Sequence, residues 1–216
     1  MACYQENTGF IDVPPPRTLG AATWDTGGRG WFGTVQGGCD YQFGGVGPWQ
    51  IVVGAFADYD FADIKGNLSV PGFNMVGSEK LDHSWSVGGR IGVLITPQLL
   101  TYFSAGYTEA TFNRVDFVNQ LIQNGIGTPT GLHIDGRTYN GWFLGAGDEY
   151  ALSFLPGLFW KTEYRLARYD TQFNPFRFAD QTLFGQSIDS KKWVHTVRSE
   201  LVWHFNFGGA PLVAKY

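Results

Sequence analysis

The stretch ADYDFADIKG carries three carboxylates, Asp58, Asp60 and Asp63, inside a six-residue span. Acids at such spacing suit general acid–base work when a third group completes the set. On a strand, successive side chains point to opposite faces, so Asp58 and Asp60 share a face. No third catalytic group can be named beside them, and no enzyme chemistry is expected. The four histidines, His83, His133, His195 and His204, are dispersed, and the two cysteines, Cys3 and Cys39, stand alone. Neither CxxC nor HExxH spacing occurs, so these residues predict no metal site. Cys3 and Cys39 are read as separate thiols rather than a disulfide. GGRG and GGVG lack the following helix or lysine that a phosphate-binding loop requires. VPPPR reads as a stiff spacer. A net charge of −4 over 216 residues leaves no basic footprint for a nucleic-acid partner.

The chemistry that remains is collective and depends on which way strands face. Aromatics make up 17% of the chain, charged residues only 16%, and glycine contributes 30 residues. Aromatics favour strands and glycine weakens helix interiors, so the mix predicts β structure within one domain. The longest uncharged run, residues 91–108, is split by Pro97 and reads as two strands and a turn rather than a membrane helix. Seven segments alternate with period 2: residues 30–43, 49–61, 83–94, 99–112, 140–152, 158–169 and 192–207. Short turns join the first to the second, the third to the fourth and the fifth to the sixth. Long polar or glycine-rich loops, about residues 65–81, 114–137 and 171–191, make the other connections. One end of the sheet is trimmed and the other elaborated, as in up-and-down barrels of the bacterial outer membrane.

The polar faces hold Asp40, Asp58, Asp60, Arg90, Glu149, Lys161, Glu163, Arg165, Arg198 and Glu200, six acids and four bases. The opposite faces carry rings at what read as strand ends: Trp31, Tyr41, Tyr59, Trp142, Trp160, Trp193 and Phe207, with Phe43, Phe61 and Phe205 beside them. Interfacial girdles of a membrane barrel need such rings, so the charged face is assigned to the lumen and the ring face to lipid. A lumen of eight strands or fewer is just wide enough for side chains to fill. The charge cluster therefore reads as a salt-bridged plug, with Lys161, Glu163, Arg165, Arg198 and Glu200 pairing across neighbouring strands; a conduction path or ligand site is the alternative. Asp148 falls on the lipid face by this register, unless a bulge at GAGDEY turns it inward.

The segments GGRGWFGTVQGGCDYQF, VGAFADYDFADIKG, NGWFLGAGDEYAL, WKTEYRLARY and the ending FNFGGAPLVAKY resemble the small outer-membrane β-barrel proteins of alphaproteobacteria, the porin-family or outer-membrane immunogenic group. The resemblance runs from about residue 4 to the C-terminus. It implies an all-β, up-and-down antiparallel transmembrane β-barrel of the eight-stranded type, of which seven strands are visible here, the first being the one not found. Residues 1–28 are then the remnant of the first outer loop, 29–207 the barrel and 208–216 a tail. The N-terminus lacks the positive and apolar regions of a signal peptide, so a signal peptide and an opening strand are expected upstream of Met1. The resemblance implies a bacterial outer-membrane location, with outer-membrane lipid and the barrel assembly machinery as partners. It implies a structural and surface-exposed role; the alternatives are a narrow porin for small solutes, a surface haem or ligand receptor and a soluble lipocalin-like barrel. No cofactor is expected. Some proteins of this kind bind haem at the surface, which makes His83 and His133, in or beside outer loops, the pair to mutate.

Overall fold

The computed structural model describes residues 2–8, 24–44, 50–70, 73–119 and 127–205. These form eleven strands: β1 (Ala2–Thr8), β2 (Trp24–Phe43), β3 (Gln50–Val70), β4 (Met75–Thr96), β5 (Leu99–Phe112), β6 (Val115–Asn119), β7 (Pro129–Ile134), β8 (Arg137–Ala151), β9 (Leu158–Tyr169), β10 (Gln172–Phe178) and β11 (Leu183–Trp203). Every pairing is antiparallel. A ring of eight strands runs β1-β2-β3-β4-β5-β8-β9-β11 and closes from β11 back to β1. Along Trp24–Gly30 of β2 and Ser190–Thr196 of β11 this closure pairs backbone groups that an open edge would leave bare, a cost of several kcal/mol each in an apolar medium.

Two expectations are corrected. Ala2–Thr8, read from sequence as part of an outer-loop segment 1–28, is a strand that pairs with both Trp24–Gly30 of β2 and Ser190–Thr196 of β11. The closing partner is therefore antiparallel on both sides, and the ring does not join β2 to β11 in parallel. It escaped sequence reading because ACYQENT is short, polar and without clear alternation. β1 spans only the upper part of its neighbours. Among the described residues, Phe32–Phe43 of β2 has no ladder on that side. Phe207 and the 208–216 tail lie outside the described residues, as does VPPPR.

The second correction concerns the long loops. β3 runs on to Val70 and β4 starts at Met75, so most of the 65–81 connection is a strand hairpin. Parts of 114–137 and 171–191 are likewise strands. β6 pairs with β4, β7 with β6, and β10 with both β7 and β11. Above the ends of β5 and β9, these three strands take over the wall, so the barrel continues as a cap. Its interior is apolar: Leu68, Val70, Met75, Val115, Phe117, Leu132, Ile134, Phe176 and Ile188 form one buried cluster. A second cluster lies below it, with Phe56, Ile64, Leu81, Phe112, Tyr139, Phe143, Tyr169 and Val194. Trp31 and Trp193, expected at strand ends, sit inside long strands for the same reason, since β2 extends above Trp31 and β11 above Trp193, whereas Tyr41, Phe43 and Trp160 do lie within three residues of a strand end.

Candidate functional site: the lumen

Alternation decides which side chains enter the barrel, and the strand register decides which of them meet. All ten predicted lumen charges point inward. Arg90 of β4 pairs with Asp40 of β2 and reaches Glu149 of β8 at 2.8 Å. Lys161 lies 3.3 Å from Glu163 and 3.1 Å from Glu200, and donates to Gln36 Oε1 at 2.5 Å. Arg165 bridges Glu163 at 3.1 Å and Asp58 at 2.9 Å. Arg198 holds Asp60 at 2.7 Å, and Thr34 and Ser84 donate to the same carboxylate. Asp58 and Asp60 are thus each committed to a guanidinium. Desolvated charges need such partners, because a lone buried ion costs several kcal/mol.

Rings and glycines shape the web. Arg165 lies 4.2 Å over the centre of Phe143 and Arg198 5.3 Å over Phe32, geometry suited to cation–π attraction. A Cβ on Gly54 would overlap the Asp40 carboxylate, and one on Gly145 would overlap the Glu163 carboxylate. Glycine at both positions leaves a narrow lumen room for charged ends. Arg198 Nη1 and Asp58 Oδ1 face each other at 3.5 Å without hydrogen-bond geometry.

Three lumen residues escaped the sequence list. His204 Nε2 lies 2.7 Å from Glu149 and completes that carboxylate's partners. Lys192 is fully buried, pairs with Glu79 at 2.7 Å and sits over Phe112 and Tyr139. Lys192 shares the even-numbered face of β11 with Arg198 and Glu200, and His204, one residue past the end of β11, keeps the same parity, so parity was the signal. Glu79 was hidden in a segment read as loop. The predicted pairing across neighbouring strands holds for Lys161 with Glu200, but Arg165 of β9 and Arg198 of β11 reach Asp58 and Asp60 of β3 across the lumen instead; Arg90, outside that predicted set, spans one intervening strand on each side.

The outer face is apolar. Trp31 is 75% exposed, and Val35, Phe61, Phe103, Leu144, Val197 and Leu201 are likewise open. A soluble barrel would reverse this arrangement of charge and apolar surface. Trp31, Tyr59, Trp142 and Trp193 mark one level of the wall and Tyr41, Trp160 and Trp203 another. Polar groups between them are satisfied locally: Thr101 donates to Asp148 at 2.6 Å, and Trp160 to Ser199 at 2.9 Å. Asp148 points outward, with no bulge at that place in β8. Cys39 is an exposed free thiol on this face.

No protein-family model matches the chain. It is 27% identical over 188 residues to the 31 kDa outer-membrane immunogenic protein of Brucella melitensis biotype 1, an alignment covering 84% of this chain and 69% of the relative. The same protein of Brucella suis biovar 1 matches equally. The chain is a distant homologue of these outer-membrane proteins. Its location is accordingly the bacterial outer membrane, where an apolar exterior around a charged interior is required. Among solved structures, Ail, the attachment invasion locus protein of Yersinia pestis, aligns with a TM-score of 0.29 at 10% identity, covering 91% of this chain and 96% of that one. The outer-membrane protease OmpT of Escherichia coli aligns with a TM-score of 0.29 at 10% identity, covering 94% and 96%.

His83 stacks on Tyr59 outside the wall, whereas His133 is buried in the cap beside Asp135. The two histidines do not share a surface. Among the described residues, no group of three or more potential metal ligands assembles.

Proposed function

We propose that the protein is a closed, non-catalytic outer-membrane barrel that displays its β6–β7–β10 cap on the cell surface. The observation that carries this reading is the filling along the axis. The ion-pair web fills the lower lumen above and beside the Val52–Leu100–Tyr102 cluster, the Phe112–Tyr139–Tyr169 layer with the Lys192–Glu79 pair lies above it, and the apolar core of the cap is on top. The void between the layers, lined by Glu79, Tyr139 and Asn174 among others, is about 10 Å³, near the minimum for one water. A solute would have to part charged pairs and then two apolar layers. Delivery to the membrane falls to the barrel assembly machinery in this reading.

The narrow-porin reading draws on one observation, the buried polar atoms without hydrogen-bond partners, Arg165 Nη2, Arg198 Nε and Glu200 Oε1, which suit a thread of water. Planar-bilayer recording of the refolded protein separates the two. The closed barrel gives no stable conductance steps at moderate voltage, and reproducible ion-selective steps would establish the porin. Surface display is tested by protease on intact cells, which should cut in the cap and spare the membrane strands.

A further inference from the structure

Three cations stand in register on the outside of the wall, and nothing in the lumen chemistry accounts for them. Arg29 of β2 is the direct partner of Lys65 of β3, and Lys65 is the direct partner of Lys80 of β4. Like charges directly opposite on neighbouring strands are destabilising, yet this row places two such pairs side by side. Asp63 bridges Lys65 at 3.2 Å and Lys80 at 3.3 Å, and Asp82 takes Lys80 at 3.4 Å. Arg29 has no acid within ion-pair distance among the described residues, and the Lys65 side chain remains 60% exposed.

The next rung up aligns Gly27, Asn67 and Ser78. With Gly28, Gly66, Arg29 and Lys65 these residues line a shallow open depression of about 520 Å³, and Lys80 stands in register beside Lys65 at its margin. Glycines keep its floor low, and Asn67 and Ser78 supply neutral donors beside the cations. The height is informative. Arg29 is two residues above Trp31, and Lys65 four above Phe61, so the row lies about one to two residue pairs above the girdle, on the capped side. That is headgroup level for a barrel whose rings mark the hydrocarbon boundary.

We propose that Arg29, Lys65 and Lys80, with the depression above them, bind a phosphate-bearing lipid headgroup of the outer leaflet. Guanidinium and ammonium groups give a phosphate charge-assisted hydrogen bonds, and the anion relieves the repulsion along the row. The inference rests on the capped end facing outward, as in the reading above.

The test titrates protein refolded in zwitterionic micelles by calorimetry, where orientation plays no part. The probes are a diphosphorylated acylated disaccharide, the same lipid after enzymatic dephosphorylation, and inorganic phosphate. The phosphorylated lipid should bind, the dephosphorylated one much more weakly, and Arg29→Gln/Lys65→Gln should weaken the first by about thirtyfold. Asp63→Asn frees Lys65 and removes one of the two acids on Lys80, and should tighten binding several-fold, an outcome misfolding cannot mimic. Arg168→Gln/Lys191→Gln removes the same charge elsewhere on the wall and should change nothing. Equal binding of both lipids, or indifference to both Arg29→Gln/Lys65→Gln and Asp63→Asn, would overturn the site. Inorganic phosphate that binds as tightly as the lipid would overturn the assignment to a headgroup. Failure here leaves surface display standing, because protease on intact cells decides that separately.

Discussion

Arg165 is where the lumen web is most concentrated, joining Glu163 and Asp58 while stacked on Phe143. Removing it leaves two buried carboxylates short of a partner, a loss of about 3–5 kcal/mol for a broken buried pair. Arg165→Met should therefore lower the urea midpoint of the barrel in micelles markedly, and adding Glu163→Gln should restore part of the loss. A double variant less stable than the single one would show that the pairing is not what stabilises the lumen. The inward direction of Arg165 was legible in sequence, because a period of two needs no knowledge of the partner strand. Its partners were not, since Asp58 lies 107 residues earlier and meets it only through barrel curvature. In the cap, Asp180 accepts hydrogen bonds from the Thr182 amide at 3.0 Å and hydroxyl at 2.6 Å, which hold its carboxyl below the ordinary aspartate value of 3.8. A carboxyl with a depressed folded pKa contributes stability that is present above the unfolded value and lost as pH falls through the folded one. The Asp180 carboxyl signal in NMR should titrate below 3.8, and the protection of the Thr182 amide, corrected for intrinsic exchange, should vanish over the same range. A midpoint at or above the ordinary value contradicts the hold of the Thr182 hydrogen bonds on Asp180.

At the scale of elements, the cap is the part that sequence hid and the part with its own core. Phe176 of β10 is fully buried and packs edge-on to Phe117 of β6 at 5.3 Å between ring centres. Truncating a buried phenylalanine costs about 3–5 kcal/mol. Phe176→Ala should loosen β6, β7 and β10 together, exposing Arg177 to trypsin at least tenfold faster. The eight-stranded ring should keep its heat-modifiable migration in detergent gels. If the whole barrel unfolds with the cap, the two layers are one cooperative unit and the division drawn here fails. Long membrane strands were readable because ten or more residues alternate without interruption. β6, β7 and β10 were not, because five to seven residues broken by Asn, Pro and Gly look like loop until β4 and β11 supply their partners. β1 shows the same limit. A seven-residue polar strand is recognisable only from the two edges it fills.

The whole molecule sets a thickness. Trp31 and Tyr41 on β2 are ten residues apart, and so are Trp193 and Trp203 on β11. At about 3.3 Å per residue the separation is roughly 33 Å along the strand, and a tilt near 40° reduces it to about 25 Å of height. Two strands on the same side of the ring thus give the same apolar span by independent spacing. Refolding into phosphatidylcholine vesicles should be best where the hydrocarbon is about 25 Å thick. Yield should fall as the acyl chains lengthen, because each ångström of mismatch costs a fraction of a kcal/mol. Removing the lower girdle supplies the check: Tyr41→Ala, Trp160→Ala and Trp203→Ala together take away the rings named at that level. The triple variant should lose the preference for one thickness while keeping its heat-modifiable band, since these rings lie on the outer face and not in the lumen web. A wild-type yield indifferent to chain length would mean that the girdles do not mark the boundary. The headgroup level assigned to Arg29 and Lys65 would then lose its ruler.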